Sequence, residues 1–301
     1  MCNGDGLRAK CVALVLGVAL ALVSGLASAA GNKPSAKEQK VSVYIDIVNS
    51  ESKYVFQAYS GYTKLLADPK KGPTCNEIDV QRLSPGAMGD SAPDRYKGWR
   101  KAIAKGPKLD PDAFASEMLD ALEALYAPGN EASKYYFENK YKKDSCKRGQ
   151  ELHPVLMANW TRYMQAEQKM RGFLEQYTDE RDAADLVSIQ KKQGKALHYY
   201  HRKVMVDAKA LIRVVDQQQF SLDAVRTSLA AYSSTLDEAK VVLDKAYAGK
   251  DRDALYQGGY KHMIDNAFQL KNMTNELIRT VENEAKKPIL NTNHPERATG
   301  R

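Results

Sequence analysis

The chain has 301 residues, with 45 Lys and Arg against 37 Asp and Glu and a formal charge of +8. That length can fill one large domain or two small ones. The positive excess is mild, and part of it lies in the tail with Lys286, Lys287, Arg297 and Arg301, whereas nucleic-acid binding needs a dense basic stripe on one face, so nucleic acid is excluded as the expected partner.

Arg8 and Lys10 precede an apolar run from Val12 to Leu26 that closes on Ala27-Ser28-Ala29. This is the order of a secretory signal: basic start, apolar core, small-x-small cleavage site. A bilayer-spanning helix needs about 20 apolar residues, which this run falls short of. An uncleaved anchor is the competing reading. No Cys follows the run, since Cys11 precedes it, so no lipid-attachment box is visible. Residues 1–29 therefore read as a signal peptide, and the mature chain is expected to be periplasmic and soluble, without stable membrane insertion. Cys2 and Cys11 leave with the leader, and Cys75 and Cys146 remain. In an oxidising compartment such a pair is expected to form a disulfide. Closing about 70 residues of chain would stabilise the fold by about 4 kcal/mol. Two free thiols are the alternative, and no C-x-x-C is present to suggest a redox pair.

Residues 30–40 are small and polar and predict a flexible lead-in. Val41, Ile45, Val48, Ser52, Val55, Tyr59, Tyr62 and Leu66 then form one stripe of a helix that ends at Pro69. Six of the eleven prolines fall within residues 68–111. That density excludes continuous helix and leaves room for a short one over Asp94 to Lys105. Asp110-Pro111 predicts a helix start, and Ala127-Pro128-Gly129 a stop. A short helix from Glu131 carries Tyr135, Tyr136 and Phe137 into the basic stretch before Cys146. Four further stripes follow. Leu156 to Tyr177 is the first and Leu186 to Val215 the second. Leu222 to Ala246 is the third, capped by Ser221 and closed by Gly249, and Tyr256 to Val281 is the fourth. These predict an all-α protein: one antiparallel bundle domain of long amphipathic helices over 41–285, with a Pro/Gly-rich irregular insertion at 68–111 and a disordered basic tail at 286–301.

The segment KVSVYIDIVNSESKYVFQAYSGYTKLL, from Lys40 to Leu66, and the segment KALHYYHRKVMVDAKALIRVV, from Lys195 to Val215, resemble the YiiG-like family of exported bacterial helical proteins. The resemblance extends in layout over most of residues 40–285. It implies an all-helical fold and an envelope location, and no activity, so no functional residue carries over from it. Family members are often lipoproteins. This chain departs from them in lacking a lipid-attachment Cys.

No catalytic signature is visible: there is no G-x-S-x-G and no phosphate-binding loop. Catalytic residues and cofactors are expected to be none. His198 and His201 lie three apart on one helical face, where two imidazoles can share a metal if His262, Asp207 or Glu167 joins them. Ordinary boundary histidines are the preferred reading. Tyr96 and Trp99 near the irregular segment are the candidate partner contact, with core-edge packing as the competitor. The expected function is non-enzymatic binding of an envelope protein or component. The alternative is a metal-binding protein using His198 and His201.

Overall fold

The computed structural model describes residues 34–217, 220–248 and 259–285. The leader, the tail from 286 and the Gly249 stop lie outside the described residues. Among the described residues the protein is all-α, with helices and no strand. These are α1 Ala36–Leu65, α2 Ala92–Ile103, α3 Asp112–Phe137, the single turn α4 Tyr141–Asp144, α5 Lys147–Gln193, α6 Leu197–Asp216, α7 Leu222–Ala248 and α8 Tyr260–Ala285. The packing divides into two compact units between Thr178 and Asp179, inside α5, within the stretch 41–285 expected as one bundle domain.

In the first unit, α1 starts with a capping box. Ser35 Oγ accepts from Glu38 N at 3.2 Å, and the Glu38 carboxylate accepts from Ser35 N at 2.7 Å. The helix therefore already covers residues 36–40, the described end of the stretch expected as a lead-in, and Lys40 is only 4 % exposed. Its ammonium donates to Asp112 Oδ2 and to the Pro107 carbonyl, both at 2.7 Å. Tyr44 donates to the other oxygen of Asp112, and Leu109 N donates to Oδ2 at 3.1 Å. Burial alone would raise the Asp112 pKa, but the donors from Lys40, Tyr44 and Leu109 bring it below the usual carboxylate range. Asp112, rather than Asp110, thus organises the start of α3. About three turns along α1 (eleven residues on from Lys40), Glu51 is 3 % exposed. It accepts from Arg95 Nη2 at 2.6 Å and Nε at 3.0 Å, which ties α2 to α1.

The irregular segment contains a 3₁₀ turn, Val80–Leu83, and α2, close to the short helix expected there. It is pinned along its length. Tyr54 donates to the Gly86 carbonyl at 2.8 Å, and Met88 N donates to Asn130 Oδ1 at 2.6 Å. Pro128 does not stop α3, contrary to expectation. The helix forfeits one backbone hydrogen bond there, but its continuation buries Ala132, Tyr135 and Tyr136. Helices α1 and α5 run antiparallel: Tyr62 meets His153 and Trp160, Ser52 meets Tyr163, and Tyr44 meets Phe173.

The second unit takes the end of α5 with α6, α7 and α8. One helix, α5, carries both the first stripe and the start of the second, so the expected break falls instead at Gly194. There a φ of 69° and a bond from its N–H to the Gln190 carbonyl at 2.9 Å close the helix. Antiparallel packing of α5 on α6 is fixed by Asp179–Arg213, Asp182–Lys209 and Asp185–Arg202. Tyr200–Glu238 and Asp207–Thr235 do the same for α6 on α7. Ser221 caps α7 as expected, at 3.4 Å from Ala224 N.

The Lys40–Asp112 pair makes a direct prediction. Lys40→Met leaves the Asp112 carboxylate without its ammonium and should destabilise the first unit by about 3–5 kcal/mol in urea melts. Lys40→Met with Asp112→Leu should recover most of that loss, because no charge is then stranded.

Candidate functional site

The chemistry-bearing residues of the first unit converge where the C-terminal end of α1, the chain after it and the start of α5 meet. Cys75 and Cys146 are 71 positions apart in sequence and lie at disulfide distance, with Cα atoms 5.6 Å apart. Beneath them His153 is buried and closed off on both ring nitrogens. Nε2 is 3.0 Å from the Pro69 carbonyl, which can only accept, so Nε2 carries the proton. Nδ1 then accepts from the Tyr62 hydroxyl at 3.0 Å. Burial lowers the His153 pKa, partly offset by the bond to Pro69. Gly72 crosses this ring with a φ of 85°, and a Cβ there would sit 2.8 Å from the imidazole, so only glycine fits.

Tyr136 lies beside Tyr62, and burial, with the Tyr62 hydroxyl and the Glu77 charge nearby, pushes its pKa up. Glu77 Oε1 accepts from Thr74 N at 2.8 Å, whereas its Oε2 is buried without a hydrogen bond. An open pocket of about 710 Å³ sits over this layer, lined by residues 74–81 with Asn139, Tyr141, Lys142 and Ser145. Among the described residues, the non-glycine residues with positive φ all gather here: Cys75 at 58°, Asn139 at 58°, Ser145 at 53° and Cys146 at 70°. Backbone held in this sparsely populated region concentrates at functional and tightly determined sites. Asp144 steadies the turn by accepting from Tyr135 at 2.7 Å, Cys146 N at 3.1 Å and Arg148 N at 3.0 Å.

Tyr96 and Trp99 are placed differently from expectation. Tyr96 is 1 % exposed and directs its hydroxyl at Glu51 Oε2, 3.4 Å away, so it belongs to the core and the contact role expected of it is corrected. Trp99 is half-buried and stacks on Tyr96 with ring centroids 6.0 Å apart. The Arg95 guanidinium lies 5.5 Å from the Trp99 ring. The aromatic pair thus helps cover the Glu51–Arg95 ion pair.

At His198 and His201, the residues of the metal alternative, the side chains meet other groups of the protein. His198 Nδ1 is 3.3 Å from Gln193 Oε1, and His201 packs edge-on against Tyr260 with centroids 5.0 Å apart. Asp207 is engaged by Lys203 and Thr235, each at 2.6 Å. Glu167 pairs with Arg171, and His262 is exposed. Among the described residues no three His, Cys, Asp or Glu side chains come together as a ligand set.

Sequence reasoning found the cysteine pair and missed the layer under it. His153 and Glu77 are single residues with no local pattern, and they meet Tyr62 only through the fold. Lys40 and Glu51 did leave a signal. They occupy the row Lys40, Tyr44, Ile47, Glu51, Val55, Ala58 and Tyr62, a buried helical face in which two charges replace apolar residues.

Two measurements check this geometry. Because the folded pKa of His153 is lowered, the unfolded chain takes the proton first as pH falls. Stability is therefore full above about pH 6.5 and is lost as pH drops through the folded value. His153→Gln should flatten part of that acid limb in thermal melts. The rest should persist, through His201, whose pKa is lowered by burial first and then by His198 and Arg202, and at lower pH through carboxylates such as Asp112. Separately, His198→Ala with His201→Ala should cost under about 1 kcal/mol. Stoichiometric zinc or copper in the untagged wild type, lost in this variant, would contradict the boundary reading.

Comparison with known proteins is consistent with this picture. A family model described as "Protein of unknown function (DUF3829)" matches residues 35–300. The chain is 29 % identical over 204 residues to the "Uncharacterized protein YiiG" of Escherichia coli (strain K12), an alignment covering 67 % of this chain. It spans 58 % of that relative's length. No solved structure matches the chain.

Proposed function

This chain belongs to the DUF3829 family of proteins of unknown function, and we propose that it works as an exported, non-enzymatic binding protein of the bacterial cell envelope, taking an envelope protein or component as partner. The observation that carries this reading is the Cys75–Cys146 pair at disulfide distance. Such a crosslink persists in an oxidising compartment and is rare in a reducing one. The leader pattern over residues 1–29 supports the same address. Among the described residues no helix is long and apolar enough to cross a membrane.

Binding rather than catalysis is supported by how the titratable groups are used. The His153 imidazole is held between Tyr62 and Pro69, and Glu51 is held by Arg95. A catalytic acid or base has to keep a proton site open to substrate. The surface suited to a partner is the pocketed face around Cys75 and Ser145, because Tyr96 is taken up by the core.

Export is tested by fractionation and N-terminal sequencing. The mature protein should be recovered from the periplasm, beginning at or within a few residues of Ala30. Peptide mapping without reductant should show one Cys75–Cys146 crosslinked pair. An intact Met1 in the membrane fraction, or two alkylatable thiols in native protein, would refute the reading.

A further inference from the structure

The Cys75–Cys146 contact joins two basic segments that are distant in sequence: Lys70-Lys71 on one side and the run from Lys140 to Arg148 on the other. The carboxylates around them are already engaged. Asp68 accepts from Lys70 N at 2.9 Å and lies 3.7 Å from Lys71 Nζ. Asp79 lies 3.9 Å from Arg82, Glu138 pairs with Lys140 at 2.8 Å, and Arg148 takes both Glu131 and Glu151. Asp144 accepts from Tyr135 and from the start of α5, and Glu77 gives one oxygen to Thr74 and keeps the other buried. Lys70, Lys142, Lys143 and Lys147 are exposed, and among the described residues none of the four has a carboxylate within 4.0 Å. The surface here presents cations whose charge is not consumed by the fold.

Two large apolar side chains stand at the same end. Ile78 is fully exposed and lines the same pocket as Lys142. Phe137, at the end of α3, is 73 % exposed and sits two residues before the pocket residue Asn139. A single exposed apolar residue needs no explanation. Ile78 and Phe137 beside four uncompensated lysines form a combination with one natural counterpart. Anionic headgroups attract the lysines, and the interface of a bilayer accepts the apolar tips. A soluble polyanion would use only the charge.

We propose that the cysteine-stapled end of the first unit docks on an anionic phospholipid surface, with Lys70, Lys142, Lys143 and Lys147 against headgroup phosphates and Ile78 and Phe137 entering the interface. This deepens the envelope-binding reading by naming the component bound. It is tested on purified protein, independently of whether the chain is exported.

The test is flotation of the full mature chain, oxidised, with vesicles of phosphatidylcholine containing about one-third phosphatidylglycerol, against phosphatidylcholine alone, at low salt. Binding should require phosphatidylglycerol and weaken as salt is raised. A lysine near an anionic surface is worth about fivefold in binding. The triple variant Lys142→Glu, Lys143→Glu, Lys147→Glu should therefore bind at least tenfold more weakly, even with the tail 286–301 present. Ile78→Ser with Phe137→Ser should weaken binding several-fold, and both variants should melt as the wild type does. Absence of binding, or binding unchanged in either variant, overturns the proposal. So does full competition by soluble polyphosphate with no effect of the Ile78 and Phe137 substitutions, which would identify a general polyanion patch. In each of those outcomes an N-terminus at Ala30 would still stand for the export reading.

Discussion

Burial of two opposite charges on α1 is the constraint from which the first unit follows. Lys40 and Glu51 sit on the inward face of the helix, and an unpaired ion there would cost several kcal/mol. Their partners, Asp112 and Arg95, lie at the start of α3 and within α2. The folded state therefore requires the chain between α1 and α3 to return to α1 at two defined heights. Apolar contacts alone would not fix those heights, because they tolerate sliding, whereas a two-pronged guanidinium–carboxylate pair does not. The Pro/Gly-rich segment is consequently an ordered strap. Its remaining attachments, Tyr54 to Gly86 and Met88 to Asn130, satisfy backbone groups that an irregular segment would otherwise leave unpaired.

The second unit uses the same device in a more regular setting. Asp182 is buried and shared between Arg202 and Lys209, and Asp179 and Asp185 add ion pairs above and below it along the α5–α6 seam. The seams are otherwise built from interchangeable Leu, Val, Ala and Tyr positions, so charges at fixed intervals select one helix register over its neighbours. Exposed pairs of this kind contribute little to stability, but a buried carboxylate such as Asp182 penalises any register that separates it from its cations.

The helical character was legible in the sequence because each helix buries one face, and 3.6-residue periodicity survives in every stripe from Val41 to Val281. What was illegible depends on contacts across long separations. Pro128 reads locally as a stop, yet the burial of Tyr135 and Tyr136 carries α3 past it. The stripes on either side of Asp179 read as two helices, yet only Gly194 breaks the backbone. Tyr96 reads as a surface aromatic in a loop-rich segment, and becomes core because Glu51, 45 positions earlier, needs covering. In the candidate site the cysteine pair was visible from counting alone. His153, Tyr62 and Glu77 were not, since their meeting is a product of the α1–α5 crossing.

The cysteine pair acquires its meaning from that hidden layer. Pro69 and Gly72 already hold the chain against His153, so Cys75 reaches Cys146 from a strand of chain that is fixed three residues earlier. A crosslink made there closes about 70 residues, but most of that strap is also held by the ion pairs on α1. Its loop-closure contribution is made in the unfolded chain, and in the folded chain it fixes the stretch around Cys75, residues 74–79. That stretch carries Ile78 outward, covers the Tyr62–His153 layer and forms one wall of the pocket. The crosslink is thus better understood as a clamp on a presented surface than as the main support of the bundle. The positive φ angles at both cysteines and at Ser145 fit that role, since backbone is kept in such a conformation only where the position of what it carries matters.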